Sequence, residues 1–325
     1  MNKKIIPLVL IIFFLFVLLS GCTEQQTHAI TIFYVNAQGG YDYLTIQQAI
    51  ENASDGYTII VYRGTYAEEL FINKTLIIKA YEKENTILQP KNTNQNSIIT
   101  LNADHSIISD FIIQATSDTI GIDITASYTT ISNNTISNTK TAVNVKRNMY
   151  YTTIYNNTFI NNQQGVYTYF SYHNNISYNS FILDQTASYL LSYAIYIHNS
   201  ESDIVSHNNI TNYNQAIRIK GTDNALVFNN NLRKNKVGIY CCCGASQTMI
   251  YTNNFMQNEL HAKDDVFNQW DNGMLGNYWD DYLTQNPDGQ PTNGIYDQPY
   301  LIYYWRNQEP LYPKQDRYPL VNPVV

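Results

Sequence analysis

NNTISNTKTAVNV (133–145), NNTFINNQQGVYT (156–168), NNITNYNQAIRI (208–219), NNLRKNKVGIYC (230–241) and NNFMQNELHAKD (253–264) are variants of one phrase. Each sets an Asn pair before an apolar residue, runs through a polar stretch, and ends on a small residue followed by an apolar alternation. The apolar residue after the pair falls at Ile136, Phe159, Phe181, Ile210, Leu232 and Phe255, in steps of 23, 22, 29, 22 and 23 residues. A period this constant means one structural unit stacked on copies of itself. Short apolar alternations between turn residues are strand signals, and no unit carries a helical period. The Leu-x-x-Leu-x-Leu pattern of leucine-rich repeats is absent.

The reading that survives is a parallel β-helix: an all-β, single-stranded solenoid in which each repeat is one coil. Coils about 4.8 Å apart turn successive inward residues into continuous apolar stacks. Asn suits the bends because it tolerates left-handed backbone, and stacked Asn side chains can pair along the axis. Weaker copies run upstream through TIIVY (58–62), TLIIKA (75–80) and SIITL (97–101), which predicts about nine coils over 57–265. The single step of 29 places extra residues within 184–193, an expected loop on one face.

Open ends of a β-helix need caps. LTIQQAIENASDG (44–56) has apolar residues at helical spacing and predicts an amphipathic helix over the first coil. Residues 22–56 are read as tether and N-terminal cap, and 266–325, rich in Trp, Tyr, Pro and Asp, as a loop-rich C-terminal cap. At the front, Lys3 and Lys4 precede an apolar run that ends in LSGC at Cys22, the layout of a secretory signal. LSGC resembles a lipobox, so residues 1–21 are expected to be removed and Cys22 lipidated. That places the mature chain outside the cytoplasm, membrane-anchored at the cell surface or in the periplasm. Net charge is −7, and no basic cluster follows the signal, which argues against nucleic acid as a partner.

The tail reads GNYWDDYLTQNPDGQPTNGIYDQPYLI (276–302) and then QDRYPL (315–320). With the repeat upstream, it resembles the NosD-like proteins, which share the pectin-lyase-like β-helix. The resemblance implies a right-handed helix. By the family's name it also implies copper handling, alongside the assembly of a copper reductase and possible work with a membrane transporter. In the family's Asp-rich loop Asp288, Asn293 and Asp297 remain, but Gln290 and Pro291 replace further acidic and Gly residues; calcium there would lack several oxygen ligands.

Stacking the repeats assembles one outward face. Asp123, Asn144, Tyr167, Tyr196, Arg218, Tyr240 and Lys263 form one column, and Thr125, Lys146, Tyr169, His198, Lys220, Cys242 and Asp265 form the next. Tyr167, Tyr169, Tyr196, His198, Arg218, Lys220 and Tyr240 thereby make a rings-and-cations surface suited to a glycan or a cell-surface protein. A polysaccharide lyase or glycoside hydrolase is the alternative, but no carboxylate pair faces Arg218 or Lys220 in this register. A copper accessory role is the other alternative. Its thiolate version rests on Cys241, Cys242 and Cys243, of which Cys241 and Cys243 are expected to point inward and Cys242 outward. The six histidines are expected in separate columns, without metal spacing, and Trp270, Trp279 and Trp305 as packing in the cap.

Overall fold

The computed structural model describes residues 31–92, 96–116, 118–184, 191–306 and 309–324; the expected signal segment, Cys22, most of the inserted loop and the side chain of Trp305 lie outside what is described. The body is a right-handed parallel β-helix of about ten turns, built from a nine-stranded and two ten-stranded parallel sheets. Each coil contributes one strand to each sheet and pairs with the coils before and after. Helix α1 (Ile46–Asn52) buries Ile46, Ala49 and Ile50, the apolar stripe read from the sequence. Thr45 caps its start, with the side chain accepting from Gln48 N, and Glu68 accepts the first-turn N–H groups of Ile46 and Gln47.

The period-marking residues form one stack. Ile136, Phe159, Phe181, Ile210, Leu232 and Phe255 pair in register and are fully buried. The small residue in each phrase also has a reason: at Gly165 and Gly238 a Cβ would run into the Phe181 and Phe255 rings. Gly therefore stands where those two rings lean on the strand, and the buried Ala142, Ala194 and Ala216 fill the same position in other coils. Corners between strands are turned by residues in the left-handed region, including Asn133, Asn156 and Asn229 (φ 57°, 54° and 54°).

The neighbouring Asn of the phrase has a separate task. Asn134, Asn157, Asn179, Asn208, Asn230, Asn253 and Asn277 are buried one above another. From Asn157 onward the side-chain Oδ1 accepts the backbone N–H of the Asn one coil earlier, at 2.9–3.0 Å, and Asn134 Oδ1 accepts from Phe111 N at 3.0 Å. The Nδ2 groups donate to strand carbonyls, as Asn230 does to Val205 O and Phe228 O at 2.9 and 3.0 Å. The ladder crosses the 29-residue step between Asn179 and Asn208 unbroken.

Its last rung meets the tail. Asp316 Oδ2 accepts from Asn277 N (2.6 Å) and Trp279 Nε1 (2.8 Å), and its Oδ1 accepts from Tyr318 N (3.0 Å). Burial pushes this carboxyl up to about 7, while the Asn277, Trp279 and Tyr318 N–H groups pull it down. Gly276 is required beside it, since a Cβ there would overlap the Asp316 carboxylate. Trp279 stacks between Phe255 (4.2 Å) and Tyr300 (4.0 Å), which extends the aromatic core into the cap. Trp270 is buried in the same cap.

Replacing one rung tests this reading. Asn230→Ala strands the Asn208 N–H and the Val205 carbonyl in a buried site and is expected to cost about 3 kcal/mol. Urea denaturation checks it against Lys140→Ala at an exposed position, expected to stay within about 0.5 kcal/mol.

Candidate functional site

The nine-stranded sheet carries the face read from the sequence. Strands Ile120–Ile124, Thr141–Val145, Gln164–Tyr169, Tyr193–His198, Gln215–Lys220, Val237–Cys242 and Leu260–Asp264 follow one another, and the first column pairs residue by residue from Asp123 to Lys263. In the second column Tyr169, His198, Lys220 and Cys242 are in register. Val166, Ile195, Ile217 and Ile239 face the core, and the residues that follow them, Tyr167, Tyr196, Arg218 and Tyr240, face out.

Arg218 is the centre of this surface. Its guanidinium lies 4.9 Å from the Tyr240 ring centroid, 5.5 Å from Tyr196 and 5.8 Å from Tyr193. It donates to Gln215 Oε1 at 3.1 Å and to Cys242 Sγ at 3.4 Å, while its buried Nε has no partner among the described residues. Lys263 covers the other side of Tyr240 at 4.4 Å, and Tyr240 donates its hydroxyl to Asp265 at 2.7 Å. Burial and Asp265 both push the Tyr240 hydroxyl up, so it stays protonated as a donor. Tyr167 is pushed up to about 12, by burial first and then by Tyr196 and Tyr169. Its hydroxyl sits 3.0 Å from His198 Nδ1. Ring planes are partly taken up by one another: Tyr196 stacks on His198 at 5.3 Å, and Tyr167 tilts against Tyr196 at 5.1 Å. What the face offers is ring edges, hydroxyls and cations. Tyr193 and Gln215 belong to this surface but were not singled out from the sequence, because they start their strands in a neighbouring column.

The cysteines depart from expectation in two ways. Cys241 is in the core as expected, stacked on Ile219. Cys242 lies in the outward column yet is fully covered. Cys243, expected inward, is exposed, because the strand ends at Cys242 and Cys243 turns the corner in the left-handed region at φ 59°. The histidines are not all separate either: His105 and His173 share one exposed corner stack with Tyr128 and Tyr151, at centroid spacings of 4.9–5.1 Å.

The tail loop is a hairpin, Pro291–Thr292 against Ile295–Tyr296, turned by Asn293 and Gly294 with φ 54° and 83°. That is the Asn-Gly signature of a tight two-residue turn. Asp297 accepts from Gln290 N at 2.8 Å, and Asp288 is exposed.

The model of the family described as periplasmic copper-binding protein (NosD) matches residues 50–284. The chain belongs to the NosD family. The periplasmic description agrees with the export expected from its N-terminus. No curated protein matches the chain. Among solved structures, a mutant DFA-IIIase from Arthrobacter chlorophenolicus A6 in complex with DFA-III is similar at TM-score 0.52 and 11% identity, over 70% of this chain and 68% of that one. The tailspike protein of E. coli bacteriophage HK620 in complex with pentasaccharide gives 0.50 and 10%, over 77% and 59%. An alginate lyase from Paenibacillus sp. str. FPU-7 gives 0.49 and 15%, over 72% and 94%. At these identities the likeness is one of fold.

Two groups among the described residues test the copper in the family's description. Copper(I) takes thiolates, but among the described residues the three cysteine sulfurs do not gather as one ligand set, since Cys241 turns into the core. His261, Asp280 and Asp281 converge, with His261 Nε2 at 2.9 and 3.3 Å from the two carboxylates. A second ladder decides the state of that ring. Asn258 Oδ1 accepts from Asn235 N and Nδ2, so its Nδ2 faces outward to Leu232 O and to His261 Nδ1 at 3.2 Å. Nδ1 is therefore the acceptor, and the ring proton sits on Nε2, pointing at the carboxylates. The arrangement ties the last coil to the cap. With its proton on Nε2, the ring offers no lone pair to a copper ion there.

His198 gives the site a measurable property. Burial, Lys220 and Arg218 all hold its pKa below the ordinary histidine value, so the ring is neutral at pH 7 and accepts or donates only as a neutral group. An NMR titration is expected to give a midpoint below 6.5, moving up in Lys220→Ala.

Proposed function

We propose that this lipid-anchored, extracytoplasmic β-helix binds a glycan along the face of Tyr167, Tyr169, Tyr196, His198, Arg218, Lys220 and Tyr240. The observation that carries the reading is the Arg218 guanidinium held among three tyrosine rings on a flat, half-exposed sheet. Tyrosine edges and hydroxyls with fixed cations supply the donors and apolar contacts that sugar hydroxyls and carboxylates use. A tailspike of similar fold is in complex with a pentasaccharide, which agrees with a glycan as the ligand.

The face favours binding over hydrolysis. Among its described residues the carboxylates are Asp123 and Asp265, six coils apart. At about 4.8 Å per coil that is roughly 29 Å, far beyond the 5–9.5 Å that a glycosidase pair spans.

An array of acidic and neutral oligosaccharides tests the reading. Binding is expected for the wild type, to weaken about tenfold in Arg218→Ala, and to vanish in the folded Tyr167→Ala/Tyr196→Ala/Arg218→Ala variant. Tyr251→Ala, on a different sheet, is expected to bind as the wild type does. Binding that survives the triple substitution, or none to any glycan, overturns the assignment.

A further inference from the structure

The run Cys241-Cys242-Cys243 lies outside the set of residues assigned to the glycan face, yet two of its sulfurs are placed together. Cys242 closes the strand Val237–Cys242, and Cys243 and Gly244 follow with φ 59° and 90°. Ala245 N returns to Cys242 O at 3.1 Å, so the chain makes a tight turn through two successive left-handed residues. That turn folds Cys243 back over the strand end and brings its Sγ to 3.1 Å from Cys242 Sγ. Arg218 Nη2 lies 3.4 Å from the same Cys242 sulfur. Earlier coils put Phe170, Asn199 and Gly221 at this corner, each left-handed but without sulfur.

We propose that Cys242 and Cys243 form a reversible vicinal disulfide, closed by exchange with a disulfide donor such as oxidised glutathione. Solvent-facing Cys243 enters first: its thiolate attacks one donor sulfur, forms a mixed disulfide and expels one donor thiol. Covered Cys242 then loses its proton and attacks Cys243 Sγ, which closes the intramolecular bond and expels the second donor thiol. Two protein thiols give up two electrons and two protons, and the donor disulfide takes them up as two thiols. Arg218 favours the anion that forms on Cys242 during the second attack.

The same geometry makes the bond reversible. Consecutive Cα atoms stand about 3.8 Å apart, shorter than the roughly 4.4–6.8 Å that disulfides usually span. Strained disulfides are the readily reduced ones. The corner thus acts as a latch that reductant reopens, beside the cation at the centre of the glycan face.

The test uses the full chain exposed to oxidised glutathione, then denatured and treated with N-ethylmaleimide without reductant. Peptide mapping is expected to find Cys241 labelled, Cys242 and Cys243 unlabelled, and their peptide about 2 Da lighter than the reduced form. Reduced glutathione is expected to restore both labels. Cys242→Ser removes the resolving thiol and is expected to leave a glutathione adduct on Cys243. Labelling of both cysteines in the wild type, a persistent Cys243 adduct, or a Cys243-linked dimer overturns the proposal. So does the absence of an adduct in Cys242→Ser.

Discussion

The structure depends on a vertical constraint: at one corner of each clear repeat, a buried Asn side chain answers the backbone N–H of the coil below it. A buried amide without a partner costs more than a typical hydrogen bond gains, so the pairing is specified at each rung. A slip of one residue in any coil breaks two rungs and turns the alternating strands inside out. The apolar stacks supply most of the driving force, but they tolerate Ile, Leu or Phe interchangeably, as Ile136, Phe159 and Leu232 show. The Asn column does not, and it carries the register.

The outward face is a consequence of that register. Tyr196 meets Arg218, and Arg218 meets Tyr240, only because the strands beneath them are locked in step. The insertion before Tyr193 leaves the pairing of Tyr167 with Tyr196 intact, since the ladder spans it from Asn179 to Asn208. The cap obeys the same logic. Asp316 receives the final rung, Gly276 makes room for it, and Trp279 joins it to the aromatic stack. These residues lie in the two tail segments that carry the family resemblance, so part of that signature is the closure of a solenoid.

Much of this was legible in the sequence, because stacking converts period into position. Ile136, Phe159, Phe181, Ile210, Leu232 and Phe255 gave the core column directly, and the residues after Val166, Ile195 and Ile217 gave the face. Irregular partners were not legible. Asp316 sits 39 residues beyond the rung it completes, with no spacing to point to it. Tyr193 starts its strand beside the face, and a column count aimed at the strand centre passes over it. Period-two alternation, carried one residue too far, put Cys243 inside; the strand had already ended, and a left-handed corner sent it to solvent. His261 falls where other coils have Gly or Ala, and only the Asn258 amide orientation reveals what its ring can do.

Native-state hydrogen exchange on the backbone amides of Asn134, Asn157, Asn179, Asn208, Asn230 and Asn253 tests the central claim most directly. These amides lie at corners between strands, and their only protection comes from the side chain one coil away. The account predicts exchange as slow as in the central strands, such as at Ile195 and Ile217, and equal along the column. Exchange as fast as in the exposed cap loop at Met274 would contradict it and leave the apolar stacks alone to hold the register.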